Sequence, residues 1–208
     1  MQAIDEQWLR AVQEKQEKKD LVFTSITGAG FKSVPVMVYS EETKQMHKLQ
    51  IKGRDQEYSY LIYVSGQLFE LSRSCLSVYP NPKDPAQIQK QHLADLPRRD
   101  LAQCSCLVNF NDEKILIIGG LDRNLDGKWV AQKTFARFEL FDREWSCGPE
   151  LNRRRENPAG CCIDSNIYVF GGIKDRKLSI PESSIEILDM KCDSEWQLLE
   201  EPLMKSFG

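Results

Sequence analysis

The sequence predicts an all-β fold built from repeated blocks of four short strands. Two apolar runs each end in a glycine pair, at Gly119-Gly120 and at Gly171-Gly172. Each pair is followed by an in-phase tryptophan, Trp145 in one block and Trp196 in the other. A period of roughly 50 residues that carries the same landmarks indicates a repeat architecture in which successive units stack on one another.

The sequence around the glycine pairs repeats as well. The segment Leu96-Pro97-Arg98-Arg99 matches Leu151-Asn152-Arg153-Arg154, and windows 96–108 and 151–163 align without a gap. Downstream, residues 138–142 match residues 185–189. The glycines are expected at turns that need a positive φ or a close backbone approach, and the tryptophans are expected to pack between neighbouring units.

Each clear repeat contains four strand candidates. In one repeat they are 103–108, 115–118, 137–141 and the segment around Trp145; in the next they are 160–163, 167–170, 184–188 and 195–199. Four antiparallel strands form one blade of a propeller. The third and fourth repeats are therefore placed near residues 97–151 and 152–203.

Two earlier repeats are predicted only from the succession of strand candidates and turns. Strand candidates at 58–64, 68–71 and 75–79 are followed by a fourth segment at 87–96, although the glycine pair and the tryptophan are missing. A further partial copy has strand candidates at 35–40 and 44–49, with residues 21–30 able to supply another. These degenerate repeats are placed near 53–96 and 21–52.

The first 20 residues predict a helix or the end of a coiled coil. Ile4, Trp8, Ala11 and Val12 share one helical face, and the residues that follow are polar on all sides. A frayed tail remains the alternative for this segment.

Composition argues against nucleic-acid binding, a membrane span and a zinc site. The net charge of −3 gives no basic stripe for nucleic acid, and no apolar run approaches the length of a membrane span. The seven cysteines lack the paired spacing of a zinc site, so they are expected to be reduced thiols in a cytoplasmic protein. No metal or other cofactor is predicted.

The glycine pairs, the Phe138-Glu139 and Ile185-Glu186 steps and the tryptophans resemble the kelch repeat family. The resemblance implies a partial kelch-type β-propeller over residues 21–208, with about four four-stranded blades, the first two degenerate, after a short N-terminal helix. It implies a non-catalytic module that presents loops to a partner protein, as part of an adaptor or scaffold. The segment is expected to be incomplete, so that self-association or missing blades would complete the propeller.

Arginines precede the first strand of each clear repeat. In adaptors of the BTB–kelch family, arginines at this point face the central opening and meet acidic peptides. By that resemblance Arg99, Arg154 and Arg155 are candidate partner-binding residues, since guanidinium groups grip carboxylates in a bidentate way. Loop arginines paired with Asp100 or Glu156 are the alternative.

Some kelch-like propellers are enzymes, including copper-radical oxidases and sugar epimerases, so a fragment of an enzymatic propeller is the second hypothesis. The two histidines, His47 and His92, fall in fourth-strand or linker segments, which does not suit an axial copper site. No nucleophile elbow or phosphate-binding loop occurs. The expectation from sequence is therefore that the chain is not an enzyme.

Overall fold

The described part of the protein is made of β-strands. The computed structural model describes residues 21–23, 36–40, 44–49, 59–80, 89–98, 101, 103–192 and 194–199. Within these ranges there are strands and turns but no helix, which confirms the all-β prediction. Consequently, the described residues include no helix that could span a membrane. The helix expected over residues 1–20 lies outside the described residues.

The two degenerate repeats form sheets. The first sheet has the antiparallel order β1-β2-β3, and its strands are Leu21–Phe23, Val36–Ser40 and Gln45–Leu49. Blade 2 is a four-stranded meander, β4 to β7, and its strands are Tyr60–Val64, Gln67–Leu71, Cys75–Tyr79 and Gln91–Asp95. The blade predicted from strand rhythm alone is confirmed, because cross-strand pairing fixes a blade even without its glycine pair.

Blades 3 and 4 each consist of four antiparallel strands and carry an additional two-stranded ribbon. Blade 3 consists of β8 Ser105–Phe110, β9 Lys114–Gly119, β12 Phe135–Glu139 and β13 Glu144–Cys147, and between β9 and β12 a two-stranded ribbon is formed by β10 Leu121–Arg123 and β11 Trp129–Ala131. Blade 4 consists of β14 Ala159–Ile163, β15 Asn166–Phe170, β18 Ile185–Asp189 and β19 Gln197–Leu199, with a smaller ribbon of β16 Ile173–Asp175 and β17 Ile180–Pro181. The ribbons were not predicted.

Apolar side chains between the blades form the core. The first strand of blade 3, β8, contacts the first strands of both neighbours, β4 and β14. One cluster joins blades 2 and 3 and includes Phe69, Leu76, Ile117 and Phe138. A second cluster joins blades 3 and 4 and is described below with the tryptophans. Sheets that alternate apolar side chains on both faces pack face to face in this way.

The two tryptophans belong to these interblade clusters. Trp196 is 5% exposed and meets Phe135 of blade 3 edge-on, with ring centroids 5.3 Å apart. Its Nε1–H donates to the carbonyl oxygen of Pro149 at 2.9 Å. Trp145 is half-buried, lies 4.9 Å from Phe138 and packs against the cluster between blades 2 and 3.

Each glycine pair lies against a connection that leads into a blade. All four residues of the two pairs have positive φ. A Cβ on Gly119 would lie 2.6 Å from the carbonyl oxygen of Arg155, and one on Gly172 would lie 2.8 Å from that of Glu156. Gly119 and Gly172 are therefore required both for backbone conformation and for close contact between chain segments.

The strand register differs from both sequence matches, that of residues 96–108 with 151–163 and that of residues 138–142 with 185–189. Phe135 pairs with Ile118 and Ile185 pairs with Phe170, so Ala136 rather than Glu139 occupies the place of Glu186. In the first strands, Cys106 pairs with Ile118 and Ala159 with Phe170. The alignment was wrong here because register follows pairing to the second strand, whereas loop lengths between strands vary.

Candidate functional site

The candidate site lies at one end of blades 3 and 4, where the blade 3 ribbon meets the connection that leads into blade 4. The backbone N–H of Arg155 donates to Gln132 at 2.9 Å, and Gly120 N–H donates to the carbonyl of Arg155 at 2.8 Å. These bonds tie the arginine-bearing connection to the ribbon. The side chain of Arg154 is thereby held against the ribbon.

Arg154 projects from this connection along the ribbon. Its Nη1 donates to the carbonyl oxygen of Ala131, on β11, at 3.1 Å, while the side chain as a whole is exposed. One hydrogen bond fixes the direction of the guanidinium and leaves other N–H donors available. Arg99, the expected counterpart of Arg154, lies outside the described residues.

Arg98 reaches the same ribbon from the connection that leads into blade 3. Its Nε lies 3.5 Å from Oδ2 of Asp122, on β10, and its Nη2 donates to Thr134 at 3.3 Å. Half of the Arg98 side chain is exposed. An ion pair this exposed contributes little stability, so Asp122 positions Arg98 more than it stabilises the fold.

The ribbon itself supplies a third arginine and an aromatic ring. The guanidinium carbon of Arg123 lies 4.6 Å from the ring centre of Trp129, directly across the ribbon. This geometry is a cation–π contact. We call the group formed by Arg98, Arg123, Trp129 and Arg154 the ribbon surface.

Arg155 lies next to Arg154 in sequence but inside the protein. Its side chain is fully buried, with Nε 3.0 Å from Oε1 of Glu186, and its Nη atoms donate to Gly171 and Ser184. Glu186 also accepts the backbone N–H groups of Asn152 and Arg153. The partner-binding hypothesis therefore does not extend to Arg155, whose guanidinium is engaged within blade 4.

Two buried carboxylates near Arg155, those of Glu156 and Glu182, interact with neighbouring side chains. Glu156 is buried and faces Arg176, with Oε1 and Nη1 3.5 Å apart. Burial opposes ionisation of Glu182, but the N–H and hydroxyl of Ser184 and the charges of Arg155 and Lys174 outweigh it, so that the pKa of Glu182 is lowered. Glu156 and Glu182 thus lie near positive charges within blade 4.

The cysteines and histidines form no metal-binding cluster among the described residues. All seven cysteines are free. Burial raises the pKa of the Cys106 thiol to about 12, and burial followed by the charge of Glu156 raises the pKa of Cys104. His47 lies on β3 and His92 on β7, the outer strands of their sheets. Within the described ranges, no three His, Cys, Asp or Glu side chains are placed to hold a metal ion.

The sequence pointed to Arg154 as a partner-binding candidate but not to Arg98, Arg123 and Trp129, which the structure places at the same ribbon. Arg98 was part of the repeated Leu-x-Arg-Arg motif, which was a usable signal. The signal for the ribbon was weaker: Asn124 and Gly127 mark the turn between two three-residue strands, and the Asn124 side chain accepts the N–H groups of Asp126 and Lys128.

A family comparison agrees with the blade architecture. Residues 154–201, which run from the arginine connection through the strands of blade 4, match the family model for the Kelch motif. This segment is a kelch motif. The kelch assignment made from the glycine pairs and tryptophans is thereby confirmed.

Two further similarities extend beyond blade 4. The chain is 29% identical to an F-box/kelch-repeat protein of Arabidopsis thaliana, over 59% of this chain and 36% of that protein. Its fold is similar to a solved fungal alcohol oxidase of the AA5 family in complex with copper, with a TM-score of 0.60, 14% identity, and coverage of 86% of this chain and 41% of the oxidase. The chain thus spans less than half the length of either protein, and the second similarity concerns the fold alone.

Proposed function

We propose that this kelch chain is a non-catalytic interaction module whose ribbon surface binds an acidic segment of a partner protein, within an adaptor or scaffold. The observation that carries the proposal is that three exposed arginines from three separate segments meet one short ribbon, where Arg123 stacks on Trp129, Arg98 contacts Asp122 and Arg154 contacts Ala131. Arginine and tryptophan are the residue types most enriched among the residues that dominate binding energy at protein interfaces.

The chemistry of the ribbon surface matches a carboxylate-bearing peptide. Each guanidinium presents a planar set of N–H donors that fits a carboxylate in a bidentate way. Trp129 adds an apolar ring beside the Arg123 donors, which an aliphatic or aromatic side chain of the peptide can cover. Alternating acidic and apolar residues would therefore be the preferred ligand pattern.

Asp122 is the acidic neighbour with which such a ligand would compete. Its oxygen lies 3.5 Å from Nε of Arg98, and half of the arginine side chain is exposed. Exposed ion pairs of this kind exchange at small cost. A partner carboxylate can replace Asp122 on Arg98, since the Asp122 side chain is 27% exposed and keeps contact with water.

The protein-binding role also draws on the likeness to the F-box/kelch-repeat protein, and we propose a cytoplasmic location in keeping with seven free thiols. The non-catalytic part of the proposal rests on the position of His92 and on the low reactivity of the Cys106 thiol. His92 is on an outer strand with its side chain 59% exposed, and the Cys106 thiol, with its pKa of about 12, is a poor nucleophile.

A peptide array tests the proposed ligand class. The purified chain is offered acidic peptides that contain apolar residues, the same peptides with Asp and Glu replaced by Asn and Gln, and basic peptides of equal length. We expect binding to the acidic set alone, weakening as salt is raised through the physiological range. Equal binding to the amide-substituted peptides, or binding to none of the three sets, would contradict the proposal.

A further inference from the structure

The ribbon of blade 4 carries a serine behind two adjacent basic residues. The turn between β16 and β17 consists of Arg176, Lys177, Leu178 and Ser179. Nowhere else in the 208-residue sequence do two adjacent Lys or Arg residues stand three and two positions before a serine or threonine. Serine/threonine kinases that prefer basic substrates select their targets by such charge patterns. The turn is therefore a candidate for modification.

This turn is accessible on the surface of blade 4. All four of its residues are exposed, with Leu178 at 64%. Ser179 has a φ of +52°, and its N–H donates to the carbonyl oxygen of Arg176 at 3.3 Å. Nη1 of Arg176 lies 3.5 Å from Oε1 of Glu156, yet half of the arginine side chain is exposed. An enzyme can therefore reach the serine and both basic residues without entering the blade.

The ribbon of blade 4 can open while the blade stays folded. Strand β17 has two residues, and one of them, Pro181, has no N–H to donate. Its pairing with β16 is irregular between Ile173 and Asp175. At the base of the ribbon, the N–H of Glu182 donates to the carbonyl oxygen of Gly172 at 2.9 Å, which closes the chain again. Short segments with few backbone hydrogen bonds open locally at a small cost in free energy, so the turn can enter the cleft of a kinase.

Ser146 in blade 3 provides a comparison within the same chain. It is also exposed, and Arg143 stands three positions before it. Unlike Ser179, it belongs to a four-stranded sheet, where it pairs with Arg137 and its hydroxyl accepts the Nε–H of that residue at 3.0 Å. Presenting Ser146 to a kinase requires breaking the pairing of β13 with β12. We therefore expect a kinase to modify Ser179 and not Ser146.

We propose that Ser179 is a phosphorylation site for a serine/threonine kinase that selects basic substrates, and that its phosphate weakens binding of the acidic partner to the ribbon surface. In the modification, the hydroxyl oxygen of Ser179 attacks the terminal phosphorus of ATP, and the hydroxyl proton passes to a base of the kinase. The bond between that phosphorus and the bridging oxygen breaks, and ADP leaves with the electron pair. The second half of the proposal rests on the proposed function, whereas the first half does not.

The phosphate alters the charge beside the ribbon surface. The backbone bridges Gln132–Arg155 and Glu156–Ile173 join the ribbons of blades 3 and 4 through the connection that leads into blade 4. Residues 174–177 hold three basic side chains and one acidic side chain, a charge of +2. Phosphoserine adds about −1.5 to −2 at neutral pH, which cancels that charge. An acidic ligand on the neighbouring ribbon surface is then attracted less strongly, by an amount that salt reduces.

Phosphate mapping tests the site itself. The purified chain is incubated with ATP and a kinase that prefers basic substrates, then digested and analysed by mass spectrometry. We expect phosphate on Ser179 and none on Ser146. Lys177→Gln should slow modification of Ser179 several-fold, whereas the control Lys174→Gln, which removes the same charge from the same ribbon outside the adjacent basic pair, should not. An unmodified Ser179, or equal slowing by both variants, would overturn the proposal.

Peptide binding tests the effect of the phosphate. Fluorescence anisotropy of a labelled acidic peptide compares the unmodified chain, the phosphorylated chain, and Ser179→Ala incubated with the same kinase. We expect phosphorylation to weaken binding several-fold, with a difference that shrinks as salt is raised, and Ser179→Ala to bind like the unmodified chain. Unchanged affinity after complete phosphorylation of Ser179 would overturn the second half of the proposal. Failure of the unmodified chain to bind the peptide would instead refute the proposed function, and the phosphate map would still decide whether Ser179 is the site.

Discussion

In the interior of blade 4, Nε of Arg155 lies 3.0 Å from Oε1 of Glu186, and neither side chain has any exposed surface. Glu186 also accepts N–H groups of Asn152 and Arg153, so one carboxylate fixes the connection that carries Arg154. Two arginines adjacent in sequence thus have opposite roles. Arg155 anchors the connection from inside, and Arg154 is presented by it.

Replacing Glu186 with alanine should destabilise the chain strongly. The variant leaves the buried Arg155 guanidinium without its counter-charge, which costs about 3–5 kcal/mol in comparable buried pairs. The double variant Arg155→Met with Glu186→Leu removes both charges and should lose much less. Urea unfolding measures both free energies of unfolding. Equal losses for the single and double variants would show that the ion pair is not what the single variant breaks.

The sequence was sufficient to predict the blades but not the role of Arg155. Glycine pairs, apolar runs and turn residues indicated four-stranded units, including blade 2 with neither landmark. Whether Arg155 is buried depends on Glu186 lying opposite it, and that depends on strand register. The match of residues 138–142 with residues 185–189 paired Glu186 with Glu139, whereas in the structure Ala136 occupies the equivalent place, so the sequence did not place Glu186 opposite Arg155.

Gly119→Ala should lower the stability of the folded chain far more than Gly127→Ala. Both glycines have similar φ, +69° and +73°, so an alanine at either costs about 1–2 kcal/mol in backbone strain. Only at Gly119 would the added Cβ also lie 2.6 Å from the carbonyl of Arg155; near Gly127 nothing lies within 4 Å. Thermal unfolding compares the two. Similar melting temperatures would mean that the glycine pair is needed for φ alone.

Trp196→Ala should cost more stability than Trp145→Ala. Trp196 is 5% exposed, contacts Phe135 of the neighbouring blade and donates to Pro149, so its loss should cost about 3–5 kcal/mol. Trp145 is only half-buried, and its buried Nε1 has no hydrogen-bond partner among the described residues. Equilibrium unfolding in urea gives the order, and a larger loss for Trp145 would contradict this account of the interblade packing.

The sequence patterns did not predict the ribbon surface. Strands β10 and β11 have three residues each, too few to show an alternating pattern. Their cation–π pair joins Arg123 and Trp129 across the turn, and Arg98 and Arg154 arrive from connections far apart in sequence. Convergence of this kind follows from the stacking of blades, so it becomes visible only when the blades are placed side by side.

Charge reversal at Arg154 tests the central claim, that the ribbon surface recognises an acidic partner, most directly. The measurement is fluorescence anisotropy of a labelled acidic peptide titrated with wild type, Arg154→Glu and the control Arg143→Glu, which changes an exposed arginine in the turn between β12 and β13. We predict that Arg154→Glu weakens binding at least about tenfold, since repulsion replaces attraction. Arg143→Glu should leave affinity nearly unchanged, and both variants should stay within about 0.5 kcal/mol of wild-type stability. Undiminished affinity in Arg154→Glu, or the same loss in both variants, would contradict the claim.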